Sequence, residues 1–73
     1  MSQLEPGSSV ILTSAPASLL NGLPEEDQRA IKSIVGHPVL LAGYTHGQAE
    51  LEFFDADGDA HTIWVETTLL RAA

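Results

Sequence analysis

Apolar residues along this chain fall into short runs with a two-residue period and one run with a helical period, and turn-forming residues fill the gaps. Ser9-Val10-Ile11-Leu12-Thr13 is β-branched and apolar, so it predicts a first strand that stops before Pro16, where proline removes a ladder donor. Residues 18–22 predict a tight turn that buries Leu19 or Leu20 and ends at Asn21-Gly22. A helix is predicted over about 24–35. Pro24 suits its first position, Glu25, Glu26 and Asp27 sit at the positive end of the macrodipole, and Gly36 and Pro38 stop it. Ala30, Ile31, Ile34 and Val35 make its apolar stripe, while Glu25 and Arg29 stand four apart on the wet side. Leu23, at its N-cap, has no side-chain oxygen to accept an orphan N–H, so tertiary contacts must fix that end.

Two alternating segments follow, 39–45 and 48–55, joined by His46-Gly47 as a two-residue hairpin turn in which both residues tolerate positive φ. A third strand, 60–66, is reached through Ala56-Asp57-Gly58. A two-residue turn there would place Glu50 and Glu52 on the face of Ile63 and Val65, burying carboxylates or exposing aliphatics. A three-residue loop pairs Leu51 with Ile63 and Phe53 with His61 instead, which predicts a type I turn with Gly58 at the left-handed bulge position. Thr67-Thr68 makes a short turn, and Leu69-Leu70-Arg71 a last brief strand that pairs with the first. Residues 1–7 read as a frayed, flexible tail and 8–73 as one domain.

This spacing of strand, long loop, strand, two hairpins, short turn and terminal strand resembles the Src-homology-3-like barrel from about Ser9 to Arg71. Leu23-Pro24-Glu25-Glu26-Asp27, Ala49-Glu50-Leu51-Glu52-Phe53 and Ile63-Trp64-Val65 look like small uncharacterised bacterial proteins of that fold. The resemblance implies a mainly β, five-stranded barrel, closed or nearly so, with one short helix inserted between the first and second strands. Peptide-binding members carry a tyrosine-rich first loop and a groove tryptophan. Here Tyr44 falls in the hairpin and Trp64 on a later strand, so no functional residue is carried over.

At 73 residues the chain has room for one core, and with no cysteine it has neither a disulfide nor a thiolate zinc site. The first residues lack a basic and apolar leader pattern, and no run approaches the roughly 20 apolar residues of a membrane span, so the expected location is cytoplasmic. Ten acidic residues against three basic ones give a net charge of −7. That excludes the counterion-displacing patch that nucleic-acid binding needs and favours a basic protein as partner.

Candidate chemistry is sparse. Asp55, Asp57 and Asp59, with Glu66 eleven positions after Asp55, invite a calcium-loop reading, but its glycine position holds Ala60 and both flanks alternate like strands, so an acidic hairpin turn is expected. His37, His46 and His61 share no close repeat that would suit a metal or proton shuttle. No nucleophile elbow, phosphate loop or dinucleotide motif is present, which points away from an enzyme and from any cofactor.

The informative feature is strand parity. With Leu51, Phe53, Ile63 and Val65 inward, Phe54 and Trp64 point outward beside Glu50, Glu52 and Glu66, and the two-residue turn adds Val39 and Leu41 to that outer face. The helix stripe of Ile31, Ile34 and Val35 is expected to cover this surface in a second small core, with a part around Trp64 left open. The sequence therefore predicts a small protein-binding adaptor or accessory domain whose binding residues are Trp64, Phe54, Glu50, Glu52 and Tyr44, with no membrane or nucleic-acid partner. The same patch also suits a structural homo-oligomer, so the chain is a monomer or a weak homodimer. A weak calcium-binding element is the lesser alternative.

Overall fold

The computed structural model describes residues 4–73. In chain order the elements are β1 (Ser9–Leu12), α1 (Ala17–Leu20), α2 (Glu25–Ile34), β2 (Pro38–Thr45), β3 (Gln48–Phe54), β4 (Ala60–Val65), a 3-10 turn (Thr67–Leu69) and β5 (Leu70–Ala72). The strands form one antiparallel sheet in the order β4-β3-β2-β1-β5. The last strand pairs with the first, as expected, although it begins one residue later. A closed barrel does not form. β5 is three residues long and pairs only with β1, so the sheet stays open with β4 and β5 at its two ends. Among the described residues no helix is long and apolar enough to cross a membrane.

Both hairpins follow the turn chemistry of the sequence. His46 at φ 51° and Gly47 at φ 80° close a two-residue turn between Thr45 and Gln48. The second loop has Gly58 at φ 85°, with its N–H donating to the Asp55 carbonyl at 3.0 Å. Leu51 then faces Ile63 and Phe53 faces His61, the register that keeps Glu50 and Glu52 out of the core.

The expected parity of β2 is overturned. Its register against β3 shifts between Leu41 and Gly43, so Ala42 is an extra residue. Such a bulge switches every side chain beyond it to the opposite face. Val39 and Leu41 therefore lie buried on the inner face, and Leu40 points outward at 43% exposure. Burial supplies the reason: Leu41 faces Leu51 across the sheet, and two fully buried leucines on one rung outweigh the ladder bond that a bulge disrupts.

Helix α2 also sits on the inner face. Ala30, Ile31 and Ile34 share a single core with Val10, Leu12, Val39, Leu41, Ala49, Leu51, Phe53, Ile63 and Val65. The expected second core on the outer face is absent from the described residues, because the stripe of α2 is already used to roof the first. A local bond holds its N-terminal end and a tertiary bond its C-terminal end. The Gln28 amide donates to the Leu23 carbonyl at 2.9 Å, and the Gly36 N–H donates to Leu12 of β1 at 3.0 Å. Pro24 occupies the N-cap without a side-chain cap, and the Glu25–Arg29 pair at 3.6 Å is exposed.

Of the segment read as a frayed tail, Met1 to Gln3 lie outside the described residues. Leu4 packs against the core, and the Gly7 N–H donates to the Leu41 carbonyl at 2.7 Å, so the rest is docked.

The bulge makes a sharp mutational contrast between neighbours. Leu41→Ala should cost about 2–5 kcal/mol and Leu40→Ala about 0.5 kcal/mol or less, read as denaturation midpoints at a common slope. Equal losses would place both leucines in the core and remove the bulge.

Candidate functional site

The open outer face of the sheet carries four of the five residues singled out in the sequence. On the β3–β4 hairpin, Trp64 stands opposite Glu50, Thr62 opposite Glu52, and Ala60 opposite Phe54. Alternation places all six on the same side, away from the core. Trp64 is 46% exposed and Phe54 is 73% exposed. The indole N–H donates to Glu50 Oε1 at 3.2 Å, an exposed cross-strand bond that gives the ring's polar edge a partner.

The two aromatics do not form one patch. The rung of Glu52 and Thr62 stands between them, and four residues along β3 separate their rows by about 13 Å. Each end has its own recess. Trp64 lines a groove of about 410 Å³ with Pro16, Leu19, Val65 and Leu69 and with the polar Ser18, Gln48 and Glu66, where β4 meets α1 and the 3-10 turn. Phe54 lines a broader recess of about 660 Å³ with Pro38, Leu40 and Ala60, and Glu52 borders it.

Tyr44 does not belong with the others. It pairs with the buried Ala49 and so lies on the inner face, where its hydroxyl donates to the Leu4 carbonyl at 2.6 Å. Its role is to dock the N-terminal segment. Leu40 and Pro38 were not anticipated as surface residues, because the bulge reversed their face. Ala42-Gly43, two small residues closing an apolar run within one strand, is the signal that could have shown it.

A second polar cluster lies at the far end of the hairpin. His61 stacks on Phe53 with ring centroids 5.3 Å apart, Nε2 lies 2.8 Å from Asp55 Oδ2, and Nδ1 lies 3.5 Å from Asp27 Oδ1 of α2. The other oxygen of Asp55 accepts the N–H groups of Asp57 and Asp59, each at 2.9 Å. The carboxylate is thereby bonded to its own turn and to the imidazole. The hydrogen bond from His61, followed by that from the Asp59 N–H, holds the Asp55 carboxyl below its usual pKa.

A lowered carboxylate pKa contributes stability that is present above the ordinary Asp range and is lost as pH falls through the folded value. Asp55→Asn should therefore be less stable than the parent at neutral pH, with the difference shrinking on acidification. Paired thermal melts at neutral and acidic pH measure it, and a gap independent of pH would show that the charge plays no part.

No family model, no curated protein and no solved structure matches this chain.

Proposed function

We propose that the chain is a small protein-binding module whose open sheet face engages a basic segment of another protein. The carrying observation is that Trp64 is half-exposed on a sheet face that α2 does not cover, its indole bonded to Glu50 beside a groove. An aromatic beside a concave surface of mixed polarity suits an anchor site, since the ring desolvates an incoming side chain while the polar lining pairs with its flanking groups. Glu50 and Glu66 at this end, within a chain of net charge −7, select a partner with Lys or Arg beside the apolar residue that fills the groove.

The Src-homology-3-like reading belongs to the same proposal. Pairing of the last strand with the first, and a short 3-10 turn before that last strand, support it, and the open sheet marks the departure from a closed barrel.

Selection from a displayed peptide library with the parent chain as bait, and Trp64→Ala as counter-bait, tests the reading. Enriched peptides should combine an apolar residue with flanking Lys or Arg, lose at least about tenfold in affinity against Trp64→Ala, and bind more weakly as salt rises. Failure to enrich any such sequence, or equal binding to a folded Trp64→Ala, would refute it.

A further inference from the structure

Strand β4 ends the sheet, and its free edge carries a pattern that the proposed function leaves unused. In an antiparallel pair the hydrogen-bonded rungs alternate. The Asp55 N–H donating to the Asp59 carbonyl at 2.9 Å fixes which ones they are. His61, Ile63 and Val65 turn their backbone groups toward β3, and Ala60, Thr62 and Trp64 turn theirs away from the sheet.

Natural edges are blunted by lysine, proline, bulges, inward charges or brevity. The opposite edge follows that rule, for β5 has only three residues and carries Arg71 at its centre. β4 does not. It is six residues of Ala-His-Thr-Ile-Trp-Val in unbroken register with β3, and none of the ten acidic residues lies on it.

We propose that this edge pairs with the same edge of a second copy, antiparallel about a two-fold axis at Thr62, to make one continuous sheet across two chains. That register brings the outward backbone groups of Ala60, Thr62 and Trp64 against those of Trp64, Thr62 and Ala60 in the second copy. The sequence is self-complementary in it. Thr62 meets its own equivalent, a favourable hydroxyl pair, and the bulky Trp64 meets the small Ala60 of the second copy. Ala60 is itself the cross-strand neighbour of Phe54. Trp64 and Phe54 of the second copy then flank one methyl group at about 10 Å between Cα atoms, close enough for the two rings to meet over it. Both exposed aromatics acquire through this pairing a neighbour that the single chain does not give them.

Charge opposes the pairing at the two ends of the ladder, where Glu66 meets the Asp57-Gly58-Asp59 turn of the second copy, and much less at its centre. The two Glu52 side chains stand three strand spacings apart across the axis, about 14 Å, which exceeds the Debye length of about 8 Å at physiological ionic strength. The global charge of −7 on each copy still repels. A six-residue ladder is also small against the roughly 800 Å² per partner of a standard interface. Pairing is therefore reversible, concentration-dependent and strengthened by salt. Because it covers Trp64, it competes with the proposed partner.

Sedimentation equilibrium of the full chain, from about 10 μM to about 1 mM at low and high salt, tests the proposal. The mass should climb toward that of two chains, at lower concentration when salt is high. The amides of Thr62 and Trp64 should exchange more slowly as concentration rises. Thr62→Lys sets two lysines against each other at the axis while pairing with Glu52 inside its own chain, so it should fold normally and associate at least about tenfold more weakly. A parent chain monomeric throughout at both salts, or Thr62→Lys self-associating as tightly as the parent, would overturn the pairing. Since salt weakens capture of a basic peptide and strengthens self-pairing, either reading can fail while the other stands.

Discussion

A chain of this length has apolar residues for one core only, and with no disulfide to help, every element must lean on it. The rung of Leu41, Leu51 and Ile63 is its centre, buried under α2. From that demand follow the inward helix, the bulge that turns Leu41 in, and a second sheet face that α2 leaves uncovered. The open face is thus the complement of a filled one. Its exposed Trp64, Phe54 and Leu40 are residues the core could not take.

The elements whose cause is local were legible in the sequence. His46-Gly47 and Gly58 fixed two turns through their backbone freedom, and avoiding buried carboxylates fixed the register of β3 against β4. The bulge at Ala42 was not legible, because its cause is tertiary. Alternation carried back from the hairpin places Leu41 outside, and only competition for the partner Leu51 brings it in. The same gap hid the destination of α2, since an amphipathic stripe shows that a helix is covered without showing which side of a sheet does the covering. At the candidate site, Trp64, Phe54, Glu50 and Glu52 were placed by parity on β3 and β4, where no bulge intervenes. Tyr44 was grouped with them against the parity of its own hairpin, which sets it opposite Ala49 on the inner face.

Charge and shape act at different ranges on this molecule. The field of a net charge of −7 reaches about a Debye length into solvent, whereas the outer face presents Trp64, Phe54 and Leu40 at contact range. The hairpin turn uses its acids differently again. Asp55 spends its carboxylate on the turn's own N–H groups and on His61, and His61 in turn reaches Asp27, so the acidic loop ties hairpin to helix.

One feature of the connectivity bears on how the chain assembles. The Gly36 N–H bonded to Leu12 joins the end of β1 to the start of β2, and everything from Thr13 to Val35 is an excursion closed at that point. The β2–β3–β4 meander, by contrast, is built from contacts between near neighbours in sequence. Loop-closure entropy therefore orders the events: the meander is expected to zip first, and β1 to arrive late, bringing β5 and the docked segment around Leu4 with it.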